Sequence, residues 1–283
     1  MTDKMRIIRV FPKRNSYTPT DDMVFIGNPP FEIPEHDEVH VSCTFTWDRG
    51  KCLELQKQWQ ARTDKEVKIG GVAFGSPVDD FTQGMYIKQN IIFTSRGCNN
   101  NCPWCIVPKV EGKLKELPIC IGNIVQDNNF LQTNKAHKEK VFEMLKTQKG
   151  ICFKGGLEAD LIDEHFINNI QGLRIKELWL ACDTDGKIKD LQKACDKLKK
   201  AGFNRNKINC YVLSKGENRD KDEARARAVY EAGAMPFVQL FRDFTDEKTE
   251  YSQDWNRWAR SWQRPAIIKA HMEKGTSYKD YHK

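Results

Sequence analysis

The 283-residue sequence has no apolar run long enough to span a membrane, and its first residues do not form a secretory leader. We therefore expect a cytoplasmic protein with no membrane partner. The net charge is also small: 46 basic and 39 acidic residues give a net charge of +7. This charge alone does not predict a nucleic-acid-binding surface. In a reducing compartment, the ten cysteines are expected to be metal ligands or buried thiols before disulfides.

Three of these cysteines lie in one short stretch, Ser95 to Cys105, at C-x-x-x-C-x-x-C spacing. A cubane iron–sulfur cluster normally takes four cysteine ligands, so three would leave one iron open to a small molecule. The alternative is a structural zinc site, which needs four ligands. No second closely spaced pair follows, and the next histidine is His137. The spacing therefore favours a reactive cluster over zinc.

The cysteine stretch resembles the signature of the radical S-adenosylmethionine (SAM) superfamily, including the aromatic Trp104 before the last cysteine. The resemblance implies that Cys98, Cys102 and Cys105 hold a 4Fe–4S cluster whose fourth iron binds SAM. It also implies an external electron donor of the flavodoxin or ferredoxin type. The 5′-deoxyadenosyl radical formed by SAM cleavage would take a hydrogen atom from the substrate, while the protein orients the cofactor and excludes water.

Residues 1–88 are expected to form a small Rossmann-like α/β domain. Strand patterns at 6–12, 23–27, 38–47 and 67–71 surround a helical pattern at 52–62, which gives a βαβ unit. The segment is similar to a reduced cobalamin-binding domain of radical SAM proteins, including the turn at 69–71. That family's DxHxxG motif is absent, because neither His36 nor His40 has the required Asp and Gly neighbours. We therefore expect a domain that does not need cobalamin.

Residues 89–250 alternate between strand and helix patterns. The strands are predicted at 89–94, 119–126, 151–154, 178–182, 208–213 and 235–240, and the helices at 137–149, 159–170, 188–201 and 223–232. Such alternation predicts parallel strands with right-handed crossovers. The fold class is thus α/β, and the strand count matches the partial (β/α)6 barrel of the resembled family. Residues 251–283 are predicted to be a C-terminal helix and a basic tail.

Ligands of parallel α/β sheets lie at the carboxyl ends of the strands. This rule selects Asp127, Asn128, Glu158 and Asp183 as candidate cofactor-binding residues. The resembled family often has Gly-Gly-Glu after its second strand, whereas here Gly155 to Glu158 comes one strand later. Local turn chemistry is the alternative for each residue. No catalytic residue is assigned.

The C-terminal helix pattern places Trp255, Trp258 and Trp262 on one face, and on the neighbouring face three arginines, Arg257, Arg260 and Arg264. A stacking platform beside phosphate-binding arginines would suit nucleic acid. Burial of the tryptophans in the core is favoured, because large aromatic side chains are mostly buried.

Two classes of function follow. The first is a radical SAM enzyme that acts on a polar small molecule, such as a nucleoside, a nucleotide or a DNA or RNA base, so nucleic acid is a candidate partner. The most similar sequence pieces belong to radical SAM proteins of bacteria and their phages. The second is a non-catalytic iron–sulfur or zinc protein that serves as a binding module.

Overall fold

The computed structural model describes residues 5–75, 82–243 and 249–276. The chain divides into two compact units, the first up to Ile91 and the second from Ile92 onward, with Lys109–Glu111 and Asp243 grouped with the first. This boundary lies three residues beyond the expected one at 88/89. The assignment of separate roles to 1–88, 89–250 and 251–283 remains a prediction. No helix in the described ranges is long and apolar enough to cross a membrane.

Between residues 5 and 75, the first unit is a four-stranded parallel sheet with one helix. Its elements are β1 (Ile7–Phe11), β2 (Val24–Ile26), β3 (Glu38–Ser42), α1 (Arg49–Gln60) and β4 (Val67–Gly70). The strand order is β2-β1-β3-β4, and all three neighbouring pairs are parallel. Helix α1 buries Cys52, Leu55 and Trp59, which are spaced three and four residues apart, against the strands. The predicted βαβ unit is therefore confirmed as β3-α1-β4.

The second unit contains eight strands in the described ranges. They are β5 (Ile91–Ile92), β6 (Ser95–Arg96), β7 (Lys115–Glu116), β8 (Ile124–Val125), β9 (Ile151–Glu158), β10 (Ile175–Ala181), β11 (Ile208–Ser214) and β12 (Met235–Leu240). Six of them form one sheet in the order β12-β11-β10-β9-β8-β5, in which β8 to β12 pair in parallel. The predicted α/β class is confirmed, and so is the parallel pairing of five of the six strands, β8 to β12. Strands β6 and β7 form a separate antiparallel pair that the sequence did not predict.

Seven helices follow in the described residues after β5, and the first of them has its last two residues, Lys109 and Val110, grouped with the first unit. They are α2 (Val107–Val110), α3 (Lys135–Lys146), α4 (Glu164–Gln171), α5 (Ile188–Lys200), α6 (Arg219–Glu231), α7 (Gln253–Ser261) and α8 (Pro265–Lys274). Four of these helices are capped at their N-termini by a side chain that accepts a hydrogen bond from a backbone N–H group of the first turn. The capping residues are Asn134, Asp163, Asn218 and Ser252. Apolar stripes on α3 to α8 join the sheet in one hydrophobic core.

Two predicted boundaries are wrong. The sequence predicts that Gly155 and Gly156 end the third strand, but β9 runs through both glycines to Glu158. The pairing of β9 with β10 shifts register in this region, which marks a strand irregularity where Gly156 has φ of +94°. The helix predicted at 159–170 begins only at Glu164, because a short 3-10 turn at Ala159–Leu161 precedes the Asp163 cap.

The C-terminal tryptophans lie largely in the core. Trp258 and Trp262 are fully buried, whereas Trp255 is partly exposed. The neighbouring Arg257 and Arg260 are exposed. The core interpretation of this helix is therefore confirmed. Helix α8 was missed by the sequence analysis, and the predicted loose basic end falls mostly at 277–283, outside the described residues.

Candidate cysteine-loop site

The cysteine loop is held at its base by backbone contacts. Gly97 has φ of +79°, and a Cβ atom there would lie 2.3 Å from the carbonyl oxygen of Lys113. The Cys98 amide donates to the Gly112 carbonyl at 3.2 Å. Only glycine combines this left-handed conformation with such a close approach. The turn at Gly97 therefore fixes where the three thiols begin.

Asp127 anchors the strand that leads into the loop. Its carboxylate accepts three hydrogen bonds: from the Thr94 amide at 2.6 Å, the Thr94 hydroxyl at 2.5 Å and the Ser95 hydroxyl at 2.8 Å. Burial raises the pKa of Asp127, and these hydrogen bonds oppose that shift. Both carboxylate oxygens are thus occupied by the residues just before the cysteines. This geometry favours a positioning role for Asp127, and its role as a cofactor ligand remains a prediction.

Three amide side chains converge on Glu158, which lies at the carboxyl end of β9. Its Oε2 atom accepts from Asn100 Nδ2 at 3.0 Å, Asn129 Nδ2 at 2.8 Å and Gln132 Nε2 at 3.2 Å. We call Asn100, Asn129 and Gln132 the amide cluster. Since Asn100 belongs to the cysteine loop, Glu158 is connected directly to that loop. The strand-end rule selected Glu158 as a cofactor ligand, which stays a prediction, and it did not reveal these partners.

Gln132 links the amide cluster to the first cysteine. Its Oε1 atom accepts from the Asn99 amide at 2.9 Å and from the Cys98 thiol at 3.7 Å. Its Nε2 atom also donates to Asn100 Oδ1 at 3.0 Å. One side chain thus fixes both the loop backbone and the carboxylate behind it. No sequence pattern pointed to Gln132, which lies in a 3-10 turn after β8.

Asn129 carries an unused acceptor. The residue is 4% exposed, and its Oδ1 atom has no hydrogen-bond partner among the described residues. A buried acceptor without a donor costs free energy, so such atoms usually face a ligand or water. The position beside Glu158 makes this oxygen suitable for an N–H donor of a bound molecule.

Asp183 lies at the end of β10 and accepts a hydrogen bond from Trp104 of the cysteine loop. Burial raises the pKa of Asp183, while the Trp104 bond opposes the shift. On the other side, Lys187 is 3.1 Å from Asp160 and 4.0 Å from Glu158, and the pKa of Lys187 is raised chiefly by its hydrogen bond to Asp160. The predicted residues Glu158 and Asp183 therefore both contact the cysteine loop.

The thiols lie close enough to influence one another. The pKa of Cys102 is raised, first by burial and then by Cys105, Cys98, Asp183 and Glu158. Negative charge would thus accumulate at this loop on ionisation, and a positively charged metal group would relieve it. None of the three cysteines forms a disulfide, and all three are partly exposed. Their donor chemistry therefore fits an iron–sulfur cluster, in which each cysteine binds a different iron.

In the described part of the chain, no three His, Cys, Asp or Glu side chains form a group around a single metal position. Asn128 is partly buried beside Asp127 and remains a predicted cofactor ligand. Other strand-end polar residues serve internal networks: the Ser214 hydroxyl donates to Asp222 at 2.5 Å, and Asp185 pairs with Arg225 at 3.2 Å.

No protein-family model and no curated protein matches the sequence. Two solved structures of the radical S-adenosylmethionine methyltransferase TsrM from Kitasatospora setae are similar at 10% sequence identity. The one with cobalamin and a [4Fe–4S] cluster bound has a TM-score of 0.61 and covers 85% of this chain and 76% of that chain. The one with tryptophan substrate and the SAM analogue aza-SAM has a TM-score of 0.55 and covers 75% of this chain and 64% of that chain. The expected resemblance is thus confirmed at the level of fold: this chain shares the fold of a radical SAM methyltransferase.

Proposed function

We propose that the chain is a radical SAM enzyme in which Cys98, Cys102 and Cys105 hold a 4Fe–4S cluster. The observation that carries the proposal is the contact between the cysteine loop and Glu158, at the strand ends of a fold shared with TsrM. When bound, such a cluster supplies the electron that cleaves SAM to a 5′-deoxyadenosyl radical. The three thiols and the open fourth position meet the ligand requirement for this chemistry.

The chain's own residues would bind and orient SAM. Asn129 Oδ1 is the buried acceptor available for the SAM ammonium group, and Glu158 adds a negative charge beside it. Asn128, at the same strand end, is a further candidate for binding SAM. Asp183 would hold Trp104, and with it the last turn of the cysteine loop, in place. Asp127 would fix the residues that precede the loop.

Electrostatics supports a cationic ligand at this position. SAM carries a sulfonium and an ammonium group, and both gain from nearby carboxylates. Glu158 and Asp183 act on the Cys102 thiol through their charge, so both lie within electrostatic range of the loop. A neutral or anionic ligand would gain less from this arrangement.

The substrate class we propose is a polar small molecule, with nucleosides, nucleotides and DNA or RNA bases as candidates. An external flavodoxin- or ferredoxin-type protein would supply the electron, and the six-stranded sheet would form the partial barrel of the superfamily. The similar TsrM structure is that of a methyltransferase, and its substrate is tryptophan. Methyl transfer is therefore the first reaction to test beyond SAM cleavage.

The test is anaerobic reconstitution of the full chain with iron and sulfide, followed by dithionite reduction in the presence of SAM. We expect a brown protein that forms 5′-deoxyadenosine. Changing Cys98, Cys102 or Cys105 to Ala should remove both iron and SAM cleavage. The matched control is Cys195→Ala, because Cys195 is a buried thiol of α5 away from the loop. Retained iron and cleavage in Cys102→Ala, or a colourless zinc protein, would reject the proposal in favour of a binding module.

A further inference from the structure

One face of the larger sheet is lined by half-buried side chains. Along β11, and along β10 from Leu178 onward, buried residues alternate with partly exposed ones, so every second side chain there points away from the hydrophobic core. The faces of a parallel sheet are ordinarily both covered. Here the second face retains partial exposure and carries large aromatic rings, a combination typical of ligand-binding surfaces.

Three rings form this surface, which we call the aromatic face: Trp179 of β10, Tyr211 of β11 and Phe237 of β12. The Trp179 and Tyr211 ring centroids are 4.7 Å apart, and the Trp179 and Phe237 centroids are 5.2 Å apart in an edge-to-face arrangement. Tyr211 and Phe237 are paired residues of neighbouring strands. The rings therefore support one another and are held on three adjacent strands.

The polar atoms of the aromatic face are already partnered. Trp179 Nε1 donates to Glu177 at 2.8 Å, and the Tyr211 hydroxyl donates to the Lys154 carbonyl at 3.0 Å. The Lys154 ammonium is 3.2 Å from Glu177 and lies over the Trp179 ring at 5.6 Å. Glu177 also lies 3.8 Å from Lys176, so two ammonium groups share this one carboxylate at the edge of the aromatic face. A bound molecule would meet ring surfaces beside these ion pairs.

Small residues separate the aromatic face from Glu158. A Cβ atom on Gly156 would lie 3.9 Å from both Ala181 and Tyr211, which is van der Waals contact without a clash. Gly156 precedes Glu158 by two residues, which is about 7 Å along a strand. Gly156 and Ala181 therefore lie between the rings and the carboxylate that contacts the cysteine loop.

The geometry points to the aromatic face as the substrate-binding surface, with a planar ring compound as its ligand. This inference rests on the proposed function, since the ring would lie next to the SAM site. Stacking on aromatic side chains supplies affinity for any flat ring. A small planar heterocycle, free or as a nucleoside, presents such a ring to the three aromatic side chains, whereas a peptide backbone does not.

The experiment is equilibrium dialysis of the reconstituted full chain against indole and thymidine, with cyclohexanol as the non-planar probe. Trp179→Leu keeps apolar volume but removes a ring, and Ala181→Leu places a larger side chain between the rings and Gly156. The matched controls are Trp255→Leu, a partly exposed tryptophan of α7, and Ala224→Leu, an exposed alanine of α6. Iron content and 5′-deoxyadenosine formation are measured on the same samples.

We expect the planar probes to bind and cyclohexanol not to bind. Trp179→Leu should weaken binding by about 5- to 100-fold, the contribution of one stacking side chain, and Ala181→Leu should remove it. Both controls should bind normally. Absence of planar-probe binding, equal binding of cyclohexanol, or normal binding in both Trp179→Leu and Ala181→Leu would overturn the inference. Ring binding without iron or SAM cleavage would instead reject the proposed function while leaving the ligand class intact.

Discussion

The backbone of Gly155 passes so close to Asp127 that a Cβ atom on Gly155 would lie 1.4 Å from the Asp127 carbonyl oxygen. These two residues lie on the neighbouring strand ends that carry most of the candidate site. Asp127 fixes the residues before the cysteine loop, and Gly155 precedes Glu158 on β9. The close approach therefore couples the cysteine side of the site to the carboxylate side.

Gly155→Ala should force these strand ends apart. Because the contact is with backbone, which cannot turn away, we expect a loss of about 3 kcal/mol or more in the free energy of unfolding, at the upper end for overpacking. Urea unfolding measures the loss. Gly172→Ala is the control, because a Cβ atom there would meet nothing within 4 Å. Equal stability of the two variants would contradict the prediction.

Glu158→Gln tests the amide cluster. The change keeps the shape of the side chain but removes the negative charge of the carboxylate, which accepts hydrogen bonds from three side-chain amide groups. Hydrogen bonds to charged groups contribute about 1.5–3 kcal/mol, so SAM binding should weaken by about 10- to 100-fold. Isothermal titration with SAM measures the change, and iron content should remain normal. Glu164→Gln, at an exposed position of α4, is the control; unchanged affinity in Glu158→Gln would argue against a SAM contact.

We predict that SAM cleavage does not require cobalamin. Both histidines of the first unit use both ring nitrogens in hydrogen bonds: His36 with Pro34 and Thr63, and His40 with Tyr86 and Glu38. A cobalt ligand would have to break one of these bonds. The measurement is 5′-deoxyadenosine formation with and without added cobalamin. Strict dependence on cobalamin would show that the cofactor binds without the histidine motif, and would refute this prediction.

Cys195 gives a pH-dependent prediction. Burial raises the pKa of this thiol to about 12, so the folded state retains its proton more tightly than the unfolded state. The resulting stabilisation is fully present below the pKa of the thiol in the unfolded state, about 8.5. It is lost as pH rises from there through the pKa of the thiol in the folded state. The stability advantage of the wild type over Cys195→Ala should therefore shrink by about 1–2 kcal/mol between neutral pH and about pH 10. Urea unfolding at both pH values measures it, with the exposed Cys120→Ala as control; a constant difference would contradict the prediction.

The strand and helix order could be predicted from sequence because apolar strand segments alternate with amphipathic helices; β11, for example, alternates buried and half-buried residues along its whole length. The prediction failed at Gly155 and Gly156, because Gly155 serves a close backbone approach and Gly156 a positive φ within the strand. The strand-end rule selected Glu158 and Asp183, which contact the cysteine loop; that they bind the cofactor stays a prediction.

The strand-end rule could not distinguish a residue that binds a ligand from one that forms hydrogen bonds within the protein. Asp127 satisfied it, yet its oxygens accept from Thr94 and Ser95. Gln132 escaped prediction because its partners are distant in sequence, 26 residues away at Glu158 and 33 at Asn99. Such contacts depend on tertiary packing, which no local pattern encodes.

The last prediction concerns Trp258 of α7, which is fully buried in the core of the second unit. Its indole N–H donates to Glu223 at 3.1 Å, and its ring meets Trp255 edge to face at 5.3 Å. Trp258→Ala should lower the free energy of unfolding by about 3–5 kcal/mol, because emptying a large aromatic site removes contacts that the core cannot replace.

The matched variant replaces the three arginines of the neighbouring helix face, Arg257, Arg260 and Arg264, by Gln. These residues are exposed, so unfolding should change by no more than about 0.5 kcal/mol for each substitution. If the helix were instead a nucleic-acid platform, the arginine variant would bind an oligonucleotide more weakly and with a shallower salt dependence. Urea unfolding and oligonucleotide binding on both variants separate the two interpretations. A normally stable Trp258→Ala protein that has lost oligonucleotide binding would show that the tryptophan face serves a ligand and not the core.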